Sequence, residues 1–303
     1  MARILVTGGT GMVGSHLREL IPTADFVGSR DCDLRNFPEV DELLSKGWDR
    51  VIHLAARVGG ILDNIESPAE FIEDNLLMNT NLIRAARIHG VPRLTAVLST
   101  CIYPDTVNQY PMTEEMLHEG PPQSTNFAYA TAKRAMAVQI DSYNRQYGLQ
   151  YNYLIPSNLY GEHDSIDFKK SHFLTALIGK LVKAKTTEEG TVRLLGTGAP
   201  LRQFLYAGDL ARILVEVVDR DLTDSFNVAA PGNLSIREVA VIAAEACGFD
   251  GLEIVFDNVS PDGQFRKDVS IERFKRLMPD FEFTPIELGI RRVFDSYLAA
   301  YNQ

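Results

Sequence analysis

Arg3-Ile-Leu-Val-Thr7, followed at once by Gly8-Gly9-Thr10-Gly11-Met12-Val13-Gly14, is the stretch on which the reading of this chain turns. The first segment is a short run rich in apolar and β-branched residues, the pattern of a buried strand. Beyond the glycines, Met12, Val13, Leu17, Leu20 and Ile21 recur at helical spacing until Pro22. Strand, glycine turn and helix follow in that order. Glycines at 8, 11 and 14 let the backbone approach a pyrophosphate, and the helix start supplies free amides and a positive dipole end. Residues Gly8, Gly9, Thr10, Gly11, Met12, Val13 and Gly14 are therefore expected to hold a dinucleotide.

The same alternation continues outward. Residues 25–27 predict a strand, 40–44 a helix, 51–54 a strand, 68–87 a helix stopped by Gly90, and 94–98 a strand. A longer helix is expected over 127–147, ended by Gly148, then a strand over 151–155. Repeated β-α units predict an α/β fold with a doubly wound parallel sheet of Rossmann type. After residue 160 the rhythm breaks, with charged or Gly-rich segments at 164–171, 186–190 and 196–200. Ser235-Ile-Arg-Glu238 predicts a capped helix start, and Thr284-Pro-Ile-Glu287 a second with Pro at the first helical position. The expected division is a cofactor domain over 1–162, with a return near 204–218, and a smaller α+β substrate domain mainly over 163–303.

Composition narrows the function. The 303 residues are 45% hydrophobic and 23% charged, an ordinary globular balance. With 30 Lys and Arg against 40 Asp and Glu, the net charge is −10, so a nucleic-acid partner is not expected. Three cysteines, Cys32, Cys101 and Cys247, fit a reducing compartment rather than a disulfide framework. Residues 1–20 do not read as a signal peptide, and no run approaches the roughly 18 apolar residues of a membrane span, which predicts a soluble, cytoplasmic protein.

Val27-Gly-Ser-Arg-Asp31 lies where cofactor choice is made. An acidic side chain there favours the ribose diol of NAD and an arginine the phosphate of NADP, so Arg30 predicts NADP(H). Tyr129 and Lys133 are four apart and share a helical face. An ammonium beside a phenol of ordinary pKa near 10 favours its ionisation and makes it a usable proton donor. Ser99, just past the strand at 94–98, can hold the same substrate carbonyl. His53 ends a buried strand and reads as structural. His163, Asp164, Asp167 and His172 match no metal-ligand spacing, so no metal site is expected.

The glycine loop, His53-Leu-Ala-Ala56, Ser99 and Tyr129-x-x-x-Lys133 resemble the extended short-chain dehydrogenase/reductase superfamily. Arg57-Val-Gly-Gly-Ile61, Ser99-Thr-Cys-Ile-Tyr-Pro104, Pro156-Ser-Asn-Leu-Tyr-Gly161, Ser171-His172 and Gly196-Thr-Gly-Ala-Pro-Leu-Arg-Gln-Phe204 are similar, more narrowly, to the GDP-L-fucose synthase family. The likeness runs from the first strand to Pro261-Asp-Gly263. It implies a 3,5-epimerisation of a GDP-4-keto-6-deoxy sugar by Cys101 and His172, followed by NADPH-dependent reduction with Tyr129 as proton donor. Lys133 would tune Tyr129 and orient the nicotinamide ribose, and Ser99 would hold the carbonyl. Cys101 would be the thiolate base, since a thiol pKa falls beside a cation such as a protonated histidine, and His172 would return the proton from the opposite face.

The resemblance also implies cofactor contacts at Asp33, Leu34 and His172 and along Pro156, Ser157, Asn158 and Leu159. Substrate contacts fall at Asn158, Lys180, Leu195, Arg202 and Asp262, with Lys267 a further cation within reach of phosphate. Leu195 stands where the family has Trp, and Thr10 where some relatives have a cation. A nucleotide-sugar 4-epimerase, or a 4-reductase without epimerisation, is the alternative within enzymes. A non-catalytic cofactor-sensing protein is the alternative outside them. Apolar stripes through Leu76 and Ile83, and through Met136 and Ile140, are expected to meet across a homodimer axis, the alternative being that they pack onto the chain's own sheet.

Overall fold

The computed structural model describes residues 2–164, 172–259 and 262–301. Asp167, Ser171 and Pro261 of the motifs above lie outside these residues. The chain begins β1 (Ile4–Thr7), α1 (Met12–Leu20), β2 (Asp25–Val27), α2 (Phe37–Ser45), β3 (Arg50–His53). It continues through α3 (Ile61–Glu66), α4 (Pro68–Ile88), β4 (Arg93–Val97), α5 (Phe127–Tyr147) and β5 (Asn152–Pro156). The short helix α3 was not legible in the periodicity, because six residues make too few turns to show it.

Six parallel strands form the central sheet, and the last of them, β10, comes from Phe226–Val228 late in the chain. The strands lie in the order β10, β5, β4, β3, β1, β2, so the winding reverses between β1 and β3. Successive strand residues face opposite sides. Leu5 and Val51 pack under α2, α4 and α5, among them Val40, Leu44, Leu82, Ile83, Met136 and Ile140. Val6 and Ile52 face the other way, against Val13 and Leu17 of α1 and the apolar side of a helix at Ala207–Asp219. Burying each such side chain is worth about 1.5–3 kcal/mol, which is why both faces are covered.

Ile83, Met136 and Ile140 are fully buried in this core. These three therefore serve the chain's own sheet, while Leu76 is half-buried and the outward faces of α4 and α5 carry Leu77 and Val138. The choice between a sheet and a second subunit is invisible to helical periodicity, since both want the same apolar stripe.

Past β5 come β6 (Asn158–Tyr160), α6 (Phe173–Thr187), β7 (Thr191–Leu194), β8 (Leu201–Arg202), β9 (Phe204–Tyr206), α7 (the Ala207–Asp219 helix), the sheet strand β10, β11 (Leu234–Ser235), α8 (Ile236–Ala246), β12 (Glu253–Phe256), α9 (Glu272–Leu277) and α10 (Ile286–Tyr301). α6, α8 and α10 enclose a second core with β7 and β12. The α8 capping box forms as expected, with Ser235 Oγ accepting from Glu238 N at 3.0 Å and Glu238 accepting from Ser235 N at 2.7 Å. Thr284 behaves differently: its amide and hydroxyl both donate to buried Asp209 at 2.7 Å, so it ties the terminal helix to α7. Among the described residues no helix is long and apolar enough to cross a membrane.

His53, at the end of β3, is fully buried. Its Nδ1 lies 2.7 Å from the Thr7 hydroxyl and its Nε2 3.0 Å from Asn79 Oδ1, a neutral ring accepting from one and donating to the other. Burial, with nearby Lys133, holds its pKa down to about 3. The unfolded ring titrates near 6.5, so below that pH the unfolded chain binds the proton and the folded one does not. Stability from this ring is whole above 6.5 and declines as pH falls from there toward 3. By pH 5 the loss is about 2 kcal/mol. Urea unfolding at pH 7.5 and pH 5 should show His53→Gln losing about that much less than the parent; equal losses in both would refute the assignment.

Candidate active site

The reversal of strand order places the carboxyl ends of β1 and β3 side by side, where ligands bind in such sheets. Leu54 N donates to Thr7 O at 3.0 Å, which draws the glycine loop against the segment after β3. Gly8 has φ of +73°, and a Cβ on it would sit 2.6 Å from Ala55 N. On Gly14 a Cβ would sit 2.6 Å from Gly9 Cα. Both positions need glycine for the loop to close at all. α1 then starts at Met12 with no side-chain cap and no acidic residue in its first turn, leaving its amides to an anion.

This loop forms one end of a cavity of about 670 Å³. Its walls include Gly8, Thr10, Gly11, Met12, Val13, Gly14, Asp33, Leu34, Pro156, Ser157, Asn158 and Leu159, and at the other end Ser99, Cys101, Tyr129, Lys133 and His172. The cavity is long enough to join the glycine loop to the tyrosine, and the cradle fits a dinucleotide. Gly9 lies behind the wall, with its amide donating to Val27 O at 3.0 Å.

Arg30 is not among the lining residues; it is exposed, and Asp31 turns back to accept from Gly28 N at 2.7 Å. The cations that do line this end are Arg35 and Arg57, both paired to Asp74, at 3.2 and 2.9 Å. Arg35 also grips Asp33 through Nε and Nη2. Sequence reading missed this cluster because its members come from three separate segments. The only local signal was the Asp33-Leu34-Arg35 run, in which the third residue can reach back to the first.

β4 ends in Val97, and Ser99 caps a one-turn 3₁₀ helix over Thr100–Ile102, its Oγ accepting from Cys101 N at 3.4 Å. Arg134 holds that turn from α5 by donating to the carbonyls of Ile102 and Gly120. Tyr129 and Lys133 share a face of α5, as their spacing requires, yet the ammonium does not bond the phenol. Lys133 Nζ donates to Val97 O at 2.8 Å, and burial pulls its pKa to about 7. Burial pushes the Tyr129 phenol up, and the neighbouring Cys101 adds to that. The expected lowering of the phenol is reversed here, because desolvation penalises both charged forms.

Cys101 is half-buried, whereas Cys32 and Cys247 are buried and their thiols are pushed up, that of Cys32 to about 11. Burial raises the Cys101 thiol too, but Lys267, a hydrogen bond with Ser99 and the charge of Arg202 outweigh it, and its pKa is lowered. Lys267 Nζ stands 3.8 Å from Cys101 Sγ. The cation beside the thiol is thus Lys267 and not His172, whose Nδ1 lies 3.1 Å from Asp164 Oδ2.

The amides of Ser157 and Asn158 are already engaged, to Val228 O at 2.9 Å and Gln203 O at 3.3 Å. The Asn158 side-chain amide also donates to Gln203 O, at 2.8 Å. Lys180, Leu195, Arg202, Asp262 and Lys267 line no part of the cavity described above. Lys180 donates to Arg193 O at 2.7 Å, and Arg202 to Leu201 O at 2.7 Å. Asp262 accepts from Thr197 N and Thr197 Oγ1, both at 2.7 Å, and so closes the turn at Gly196 and Gly198. Leu195, just before that turn, is 69% exposed. Among the described residues, no group of three or more His, Cys, Asp or Glu is placed to hold a metal.

Residues 4–229 match the NAD dependent epimerase/dehydratase family. The GDP-L-fucose synthase of Sinorhizobium fredii is 39% identical over 98% of this chain and 96% of its own length. That of Dictyostelium discoideum is 36% identical over the same shares. A GDP-L-fucose synthetase from Naegleria fowleri, solved bound to NADP, superposes with a TM-score of 0.90 at 35% identity, covering 100% of this chain and 94% of that one. On these grounds the chain belongs to the NAD dependent epimerase/dehydratase family and, within it, to the GDP-L-fucose synthases.

Proposed function

We propose that this protein is an NADP-dependent enzyme that converts GDP-4-keto-6-deoxy-D-mannose to GDP-L-fucose by 3,5-epimerisation and 4-keto reduction. The observation that carries the reading is the meeting, in one cavity, of Ser99, Tyr129 and Lys133 with Cys101 and His172. A plain reductase has no use for a thiol whose pKa is lowered.

A 4-keto group makes the C–H bonds at both neighbouring carbons acidic. Cys101 as thiolate takes the proton, and the electron pair passes through the enolate to the carbonyl oxygen, which Ser99 holds. His172, steadied by Asp164, returns a proton to the opposite face. When bound, NADPH supplies the hydride that reduces C4. Tyr129, kept protonated by its burial, gives its proton to the oxygen, and the Lys133 ammonium offsets the phenolate left behind. In this proposal residues 1–162 with the return through α7 carry the cofactor, and mainly residues 163–303 the GDP-sugar. Arg202 and Lys180 are the cations there for its diphosphate, and Leu195 beside the Gly196 turn meets the base. The NADP phosphate falls to the cavity's Arg35 and Arg57, since Arg30 is exposed and outside the lining.

The deciding measurement is NADPH consumption by the purified protein on the 4-keto sugar in deuterated water. Oxidation with deuterium at both C3 and C5 is expected. Oxidation without label reduces the activity to a 4-reductase, and no oxidation overturns the substrate.

A further inference from the structure

We propose that Lys267 is the resident counter-ion of the Cys101 thiolate, a positioning residue for the epimerising base rather than a phosphate anchor. This rests on the reading of Cys101 as that base. The two side chains are 166 residues apart in sequence and meet at 3.8 Å. That approach is built by the segment around Lys267, in which almost every neighbour is tied down. Phe265 O accepts from Leu201 N at 2.8 Å, and Arg266 O from the Tyr110 hydroxyl at 2.9 Å. Asp268 O accepts from Met112 N at 2.9 Å, and the side-chain amide of Gln203 clamps both the amide and the carbonyl of Val269. A lysine on a solvated loop would sample many rotamers, whereas this one is launched from a fixed backbone toward one sulfur.

The charges nearby leave Lys267 available for that task. The adjacent carboxylate of Asp268 is taken by the Arg266 guanidinium and by Asn233. Arg202, from β8, adds its positive charge near the sulfur and is itself opposed by Asp262. Ser99 and Tyr129 face the thiol from the β4 and α5 sides. The balance around the sulfur is cationic, and an opposite charge within about 4–6 Å shifts a pKa by one to three units. During turnover the thiolate takes the C–H proton and becomes a neutral thiol, while the negative charge moves to the enolate oxygen. The Lys267 charge thus loses its partner for the lifetime of the enolate and favours return to the thiolate once the proton is released.

The test is iodoacetamide alkylation of the holoenzyme, with NADP⁺ bound, read at the Cys101 peptide by mass spectrometry across pH. Cys32 and Cys247 are buried with raised thiols and react far more slowly. Lys267→Met is expected to move the Cys101 midpoint up by at least about one pH unit and to slow alkylation at neutral pH about tenfold or more. Lys267→Arg, which keeps the charge, should restore most of the rate. Deuterium wash-in to the ketosugar should fall with the alkylation rate. An unchanged alkylation profile in Lys267→Met overturns the proposal, and a raised KM with that profile intact would make Lys267 a substrate anchor instead. The underlying reading fails separately, if Cys101→Ala keeps full deuterium wash-in while Lys267 still governs alkylation in the parent.

Discussion

Tyr129→Phe is expected to slow NADPH oxidation by about 10²–10⁴-fold, the usual contribution of a positioned general acid. The packing should survive. The ring of Phe71 meets Tyr129 edge-on with centroids 6.5 Å apart, and a phenylalanine ring keeps that contact. On the proposed mechanism, what is lost is one proton, given to the C4 oxygen as the hydride arrives. The surroundings explain why Tyr129 holds that proton until it is needed. Burial raises the phenol, so ionisation in the resting site is negligible, and the cost is recovered only when charge develops on the substrate oxygen. In the proposed reduction Lys133 sets the upper pH limit: its ammonium, drawn down to about 7 by burial, is lost as pH rises, and kcat/KM for reduction should decline on that alkaline side. Wash-in of deuterium to the ketosugar should continue in Tyr129→Phe, because the proposed epimerisation uses Cys101 and His172 as its base and acid. A variant that oxidises NADPH at the parent's rate would remove Tyr129 from the chemistry.

Cys101→Ala is expected to do the converse. Deuterium at C3 and C5 should drop by about 10²-fold or more, and any reduced product should retain the substrate's configuration at those carbons. The side chain is half-buried and small, so the variant should fold. Its 3₁₀ turn is held by backbone and by Arg134, neither of which depends on sulfur. Mass spectrometry of the product formed in deuterated water reads the result directly. Full label in Cys101→Ala would place the base elsewhere in the cavity. Together the two variants test the two halves of the proposed reaction, which share a carbonyl oxygen but not a proton.

The sequence by itself determined the parallel α/β architecture, the dinucleotide cradle and the turn-by-turn spacing of Tyr129 and Lys133. These are short-range properties. Period-2 and period-3.6 apolar patterns, and the need for glycine at Gly8 and Gly14, are complete within a few residues. Even the family could be read from such strings, because each motif is contiguous. Electrostatics was not legible in this way. An ammonium four residues from a phenol was expected to lower it, and burial, which only the packed sheet imposes, raises it instead. Arg30 carried the right charge next to the right strand, yet the cavity wall is formed by Arg35 and Arg57, brought together by Asp74 of α4. The stripes of Ile83 and Met136 were equally suited to a subunit interface or a core, and the sheet claimed them. Lys267 meets Cys101 across 166 residues, through a clamp made by Gln203, Tyr110 and Met112. Charge and desolvation act through space, so which cation lies beside the thiol is decided where the chain crosses itself, and no local pattern can announce it.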